Sequence, residues 1–155
     1  MVDPQLLPAL DIILVEDNED DVEQVRRVLA RSGLDARLLI AMDGQEARDV
    51  LSKAKRASEA PGKGTQRYRL VLLDLHLPQV DGRDLLRWMK AEPALRSVPV
   101  VVLTGSAAQE LIRECMELGC QMYILKPIDI ADIANIVWGV GRFWTGPAVP
   151  AQKAA

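Results

Sequence analysis

The sequence contains little cysteine and little histidine, and these residues do not form the closely spaced clusters that bind zinc. Two cysteines and one histidine stand among 155 residues, and structural zinc sites require closely spaced sets of these residues. Cys115 and Cys120 form no CxxC pair. We interpret both as reduced thiols that fill the core.

Long apolar runs and an excess of basic residues are also missing. No run approaches the ~20 apolar residues that cross a bilayer, and the first ten residues lack the basic start and apolar stretch of a secretion signal. We therefore expect a cytoplasmic protein without a membrane partner. The formal net charge is −3, a poor electrostatic match for nucleic acid, so no nucleic-acid partner is expected either.

Five short apolar runs alternate with amphipathic stretches, and this alternation predicts an α/β protein. The predicted strands are Ile12–Val15, Ala36–Ile40, Leu70–Leu73, Val100–Leu103 and Met122–Leu125. The first, third and fourth runs are almost uninterrupted Ile, Leu and Val, as expected for central strands that helices cover on both faces. The length suits one domain with a full core. We predict a doubly wound five-stranded parallel sheet flanked by five helices, with its ligand site beyond the carboxyl ends of the strands.

Several residues indicate where the helices begin and end. Asp43 and Glu46 have the spacing of a capping box at the start of the second helix, and Asp81 can cap the third. Gly33 and Gly119 are expected at helix ends.

The segment Lys53–Arg69 is polar, contains Pro61, and exceeds the usual length of a helix-to-strand connection. We predict a solvated surface loop there, in preference to a basic patch that binds nucleic acid.

Polar residues stand where four of the five predicted strands end. Glu16 and Asp17 follow the first strand, Asp74 ends the third, Thr104 ends the fourth, and Lys126 follows the fifth. In a parallel sheet these endings lie at one edge, so the five side chains are expected to converge.

The chemistry of these five residues is complementary. Crowded carboxylates repel one another unless a cation compensates, and a hard divalent ion such as Mg²⁺ prefers oxygen ligands. Asp17, Asp74 and a backbone carbonyl just after Asp74 can form part of its shell. Lys126 and the Thr104 hydroxyl suit a phosphoryl oxygen on the other side.

At these residues the sequence resembles the receiver domain of two-component response regulators over residues 10–144. Four motifs carry the resemblance: Ile13-Leu-Val-Glu-Asp-Asn, Leu72-Leu-Asp-Leu-His-Leu-Pro with Asp81-Gly82, Val101-Val-Leu-Thr-Gly, and Leu125-Lys-Pro. Residues 1–9 are then an N-terminal extension and residues 145–155 a flexible C-terminal tail.

The resemblance implies the strand order 2-1-3-4-5 of a flavodoxin-like fold and a specific role for each site residue. Asp74 would accept a phosphoryl group from a sensor histidine kinase. Glu16, Asp17, Asp74 and the backbone carbonyl of His76 would hold Mg²⁺. The other implied roles are contacts to the phosphoryl group from Thr104 and Lys126, a switch formed by Thr104 and Tyr123, and a cis bond between Lys126 and Pro127.

A narrower resemblance is to the single-domain regulators that are paired with bacterial phytochromes. It rests on the long segment Lys53–Arg69 and on the ending Gly139-Val-Gly-Arg-Phe-Trp. The implied partner is a phytochrome that acts as a histidine kinase.

Two other functions remain open at this point. An aspartate-nucleophile, Mg²⁺-dependent phosphatase would also use Asp, Thr and Lys, but it needs a second acid two residues after the nucleophile, where His76 stands here. A pseudo-receiver that only binds partners, or a phosphohistidine carrier, is the other alternative. A pseudo-receiver is expected to lack one of the five site residues, and a carrier is expected to present its histidine on a helix. We therefore predict a phosphoacceptor rather than an enzyme that turns over a separate substrate.

The last predicted helix carries apolar residues on more than one face. One stripe at helical spacing is expected to pack on the sheet: Ile130, Ile133, Val137, Val140 and Trp144. Ile136 and Phe143 stand seven residues apart off that stripe, with Trp138 on a further face. We expect Ile136 and Phe143 to form the interface of a homodimer.

Overall fold

The structure is a computed structural model, and it describes residues 9–59, 68–77, 81–105 and 108–140. In these ranges strands and helices alternate strictly. Their bounds are β1 Leu10–Val15, α1 Glu19–Ser32, β2 Ala36–Ala41, α2 Gly44–Glu59, β3 Tyr68–Asp74, α3 Gly82–Ala91, β4 Val100–Thr104, α4 Gln109–Glu117, β5 Met122–Leu125 and α5 Ile130–Val140. The five predicted strands are confirmed, with ends that differ by two residues at most.

The strands form one parallel sheet in the order β2-β1-β3-β4-β5. The predicted doubly wound, flavodoxin-like fold is therefore confirmed. β1, β3 and β4 are the interior strands, and alternate residues of β1 enter two separate cores. Ile12 and Leu14 pack with α1 and α5, whereas Ile13 and Val15 pack with α2, α3 and α4. Burial on both faces explains why the middles of these strands consist of Ile, Leu and Val, with polar residues only near the strand ends.

The predicted helix ends have a visible chemical basis. The backbone N–H of Glu46 donates to Asp43 Oδ1 at 2.8 Å, and the N–H of Arg83 donates to Asp81 Oδ1 at 2.8 Å. Gly33 follows α1 with a φ of +79°, a left-handed conformation that glycine adopts without a steric penalty. The two aspartates therefore cap the starts of α2 and α3, and Gly33 ends α1.

The prediction of a loop over Lys53–Arg69 is wrong at both ends. The α2 helix continues to Glu59, and β3 begins at Tyr68. Residues 53–59 are good helix formers with no breaker before Pro61, so the helix can extend through this polar stretch. Residues 60–67 lie outside the described part of the chain.

The packing of α5 corrects the predicted interface and the predicted core stripe. Ile133 and Val137 are buried as predicted. Ile136 is only 2% exposed and belongs to the core formed with α1, so its assignment to a dimer interface is wrong. Ile130, expected in the core, is 44% exposed at the first position of α5, so its place in the predicted core stripe is wrong. The spacing of Ile133, Ile136 and Val137 is the i, i+3, i+4 pattern of one buried face. The predictions for four other residues concern side chains that the structure does not describe: Trp138, Val140, Phe143 and Trp144.

Candidate metal centre at the carboxyl edge of the sheet

Three carboxylates meet where β1 and β3 end. Glu16 and Asp17 follow β1, and Asp74 is the last residue of the neighbouring strand β3. One carboxylate oxygen from each residue lies within 4.8 Å of those of the other two. Glu16 and Asp74 are buried, whereas Asp17 is exposed. The cluster is therefore anchored in the sheet and open to solvent on one side.

Lys126 brings a positive charge to this cluster from the end of β5. Its Nζ lies 3.4 Å from Asp74 Oδ2 and 2.9 Å from Asp21 Oδ2, and it also donates a hydrogen bond to Glu16 Oε1. The Lys126 side chain is 18% exposed. One ammonium group thus contacts the carboxyl groups of Glu16, Asp21 and Asp74.

Burial determines the protonation chemistry of Glu16. Loss of water raises the pKa of this carboxyl to about 8, and its hydrogen bond with Asp74 acts in the same direction. The hydrogen bond from Lys126 lowers the pKa but does not outweigh burial. Burial of Lys126 works to lower its pKa, yet hydrogen bonds to Glu16 and Asp21 raise it overall, so the lysine stays charged.

Thr104 and His76 lie beside Asp74, as the sequence predicts. Asp74 pairs with Leu103 across the sheet, so Thr104 stands one residue further along β4. Thr104 is buried, and its carbonyl accepts a hydrogen bond from the Lys126 backbone N–H at 2.9 Å. The backbone N–H of His76 donates to Asp74 Oδ1 at 3.1 Å. The His76 carbonyl as a metal ligand stays a prediction.

Tyr123 lies on β5, three residues before Lys126, and is 43% exposed. Its position agrees with the predicted switch pair, but its role stays a prediction. The Lys126–Pro127 bond is cis, as the family resemblance implied.

The contact of Asp21 with Lys126 was missed by sequence reasoning. Asp21 belongs to the acidic run Glu19–Asp21 that opens α1, a composition typical of any helix N-terminus. No spacing pattern distinguishes it, because Asp17 precedes the extended N-cap Asn18 and so does not share a helical face with Asp21. One turn later, Gln24 Nε2 donates to the carbonyl of Ile128 at 3.0 Å. The first turns of α1 therefore hold the β5–α5 connection on both sides of Pro127.

The donor set fits a hard divalent cation. Carboxylate oxygens within 4.8 Å of one another are ligands for Mg²⁺ or Mn²⁺. The exposed position of Asp17 leaves room for the waters that such ions retain. All three side-chain ligands in this cluster are carboxylates.

Comparison with known proteins identifies the family. The family model described as response regulator receiver domain matches residues 12–137. The chain belongs to this family. As a receiver domain it is a signalling protein rather than a conventional enzyme, and the predicted membership of the two-component response regulators is confirmed.

Within this family, the chain is similar to individual response regulators whose names link several of them to phytochromes. This receiver domain is 36% identical over 137 residues to response regulator Rcp1 of Synechocystis sp., a match that covers 88% of this chain and 90% of Rcp1. It is 34% identical to the bacteriophytochrome response regulator AtBRR, with a TM-score of 0.70 and coverage of 88% and 95%. The Mn²⁺-bound form of Rcp1 is 35% identical, with a TM-score of 0.63 and coverage of 91% and 99%. The predicted similarity to the regulators paired with phytochromes is confirmed.

Proposed function

We propose that this receiver domain accepts a phosphoryl group on Asp74 from a phosphohistidine of a sensor histidine kinase. The observation that carries the proposal is the position of the Asp74 carboxylate, which lies within 4.8 Å of two further carboxyl groups and 3.4 Å from the Lys126 ammonium group. The Asp74 carboxylate can attack the phosphorus atom while the Lys126 ammonium group neutralises negative charge on the phosphoryl oxygens.

The transfer forms a bond between an Asp74 carboxylate oxygen and phosphorus, and it breaks the bond between phosphorus and the imidazole nitrogen of the kinase. The departing imidazole takes up a proton. Lys126 and the Thr104 hydroxyl would contact the transferred oxygens, and attack of water on the acyl phosphate would later restore the carboxylate. New contacts at Thr104 would bias Tyr123 and its surroundings toward a second conformation.

We assign Mg²⁺ as the resident cation, held by Glu16, Asp17, Asp74 and the His76 carbonyl. When bound, the ion would neutralise negative charge on the phosphoryl oxygens. Support comes from the oxygen-only donor set and from the solved Mn²⁺-bound form of Rcp1, since both ions accept such ligands.

The partner that fits the relatives is a bacterial phytochrome with histidine kinase activity. This proposal rests on the bacteriophytochrome response regulators that the chain resembles. A cytoplasmic location would give the kinase access to Asp74. Among the described helices, none has the length and apolar character needed to cross a membrane.

The decisive experiment is phosphorylation with acetyl phosphate and Mg²⁺, followed by intact-mass spectrometry. The wild type should gain one phosphoryl group that hydroxylamine removes, because hydroxylamine cleaves acyl phosphates. Asp74→Asn should gain none, while the matched control Asp49→Asn on the exposed face of α2 should behave like the wild type. A phosphoryl group retained by Asp74→Asn would contradict the assignment.

We also propose a homodimer in which Phe143 contributes to the interface. Because Ile136 is buried in the core, the contact would depend on the end of α5 and on the residues that follow it. Analytical ultracentrifugation of the wild type and Phe143→Glu tests this proposal. A wild type that remains monomeric at high micromolar concentration, with and without phosphorylation, would contradict it.

A further inference from the structure

The ion pair between Lys126 and Asp21 is the contact at the site that the phosphoacceptor role does not explain. Asp21 Oδ2 lies 2.9 Å from Lys126 Nζ, closer than Asp74 Oδ2 at 3.4 Å. Asp21 lies on α1 rather than at a strand end, and its side chain is 37% exposed. Asp21 is therefore a third acidic residue in contact with Lys126, in addition to Glu16 and Asp74 at the edge of the sheet.

The geometry of Asp21 is well defined by its own helix. Its backbone N–H donates to Asn18 Oδ1 at 3.1 Å, which fixes the first turn of α1. Gln24 one turn later holds the carbonyl of Ile128, so the lysine segment is tied to the same helix. Both partners of the Asp21–Lys126 ion pair are therefore held in place by hydrogen bonds to α1.

We propose that Asp21 is a positioning residue that holds the Lys126 ammonium group in the resting state and restrains phosphorylation. This inference rests on the proposed function. Nζ has three N–H donors, and it already contacts Glu16, Asp21 and Asp74. A contact between Nζ and a phosphoryl group on Asp74 therefore competes with the ion pair to Asp21. The Asp21 carboxylate also repels an incoming anionic phosphodonor, because both are negative. Both effects slow loading of Asp74.

Asp21→Asn should therefore raise the initial rate of phosphorylation by acetyl phosphate. The expected increase is about two- to fivefold, the range for a partly exposed ion pair. The increase should shrink at ~1 M salt, where exposed charges are screened. Asp21→Glu, which keeps a carboxylate on the same turn of α1, should restore a rate close to that of the wild type.

The matched control is Asp20→Asn. Asp20 is exposed in the same helical turn, and within the described part of the chain no ion pair joins its carboxylate to Lys126. Both substitutions remove one negative charge from the N-terminus of α1, so a helix-dipole effect would appear equally in both. A purely structural defect would slow phosphorylation rather than accelerate it.

The outcomes separate this inference from the proposed function. If wild type is phosphorylated and Asp21→Asn is unchanged, slower, or matched by Asp20→Asn, the role of Asp21 is overturned while the phosphoacceptor role stands. If the wild type takes no phosphoryl group on Asp74, the proposed function itself fails. An increase confined to Asp21→Asn, reduced by salt and abolished in Asp21→Glu, supports the inference.

Discussion

Glu16 combines complete burial with a charged partner, and this combination makes its protonation depend on the fold. Its side chain has no solvent exposure and contacts Lys126. A carboxyl group in an unfolded chain has a pKa near 4.5, whereas burial raises that of Glu16 to about 8. Between these two values the folded state holds a proton that the unfolded state has lost.

The first prediction is that the metal-free domain becomes less stable as pH rises from about 5 to about 8. Stability from a group with a raised folded pKa is complete below its unfolded pKa and is lost as pH rises through the folded pKa. Glu16→Gln should flatten this slope, because glutamine does not titrate. Urea unfolding in EDTA at several pH values measures it, with the exposed Glu23→Gln on α1 as control. Equal slopes in wild type and Glu16→Gln would contradict the prediction.

At the level of single residues, the sequence predicted which residues meet at the strand ends better than it predicted which residues of α5 are buried. The five strand-end residues could be found because parallel strands gather their ends at one edge, so sequence order translates directly into proximity. Asp21 could not be separated from ordinary helix-capping acids, since its partner lies 105 residues away. Ile130 and Ile136 exchanged their expected environments because apolar character alone does not decide which of two helical stripes faces the sheet.

The α3 helix begins in close contact with the strand that carries Asp74. A Cβ atom on Gly82 would lie 2.7 Å from the Leu75 Cα and 2.9 Å from the Asp74 carbonyl oxygen. The Gly82 N–H also donates to the Leu75 carbonyl at 3.1 Å. Glycine is needed here for a close approach of two backbone segments rather than for a left-handed conformation.

The second prediction contrasts Gly82→Ala with Gly139→Ala. The methyl group at position 82 must displace backbone, so we expect destabilisation of about 1–3 kcal/mol and weaker metal binding. At position 139 the added Cβ meets the Met122 side chain at 3.6 Å, an ordinary contact, and alanine favours the helix by up to ~1 kcal/mol. Urea unfolding and metal titration of both variants test this contrast. A Gly82→Ala variant with the stability and metal affinity of the wild type would refute it.

At the level of elements, the interior strands were predictable because burial on both faces leaves them few residue types. The end of α2 was not, because a polar helix and a polar loop have similar hydropathy and differ only in backbone propensity. The salt bridges between the start of α3 and α4 could not be predicted from the sequence either. Arg83 joins Asp81 at 2.7 Å and Glu114 at 2.8 Å, and these contacts connect residues up to 31 positions apart.

The proposed metal site would couple ion binding to folding of the whole molecule, because the site residues come from four strands that only the complete sheet brings together. Glu16, Asp74, Thr104 and Lys126 span most of the chain. A ligand that binds only the folded state stabilises it by an amount that grows with ligand concentration, about 2.7 kcal/mol at one hundred times its Kd. Mg²⁺ should therefore stabilise the entire domain.

The third prediction is that Asp17→Asn removes most of this stabilisation. Without metal the variant should be as stable as the wild type or more stable, because one member of a like-charge cluster is neutralised. Chemical unfolding with and without Mg²⁺ measures both effects. Glu16→Gln should weaken metal binding less, because we expect Glu16 to contact the ion through water. An unchanged response of Asp17→Asn to Mg²⁺ would be incompatible with its role as a ligand.

The parallel arrangement of the strands also separates two ends of the molecule that can be engineered independently. Every described site residue lies at the carboxyl edge, whereas the connection from α1 to β2 lies at the opposite edge, with the Leu10 N–H donating to the Asp35 carbonyl at 2.8 Å. A six-residue strand spans ~20 Å, so a reporter protein inserted beside Gly33 would sit about that far from Asp74. That turn is a suitable attachment point for a fluorescent label that records the signalling state without contacting the chemistry that creates it.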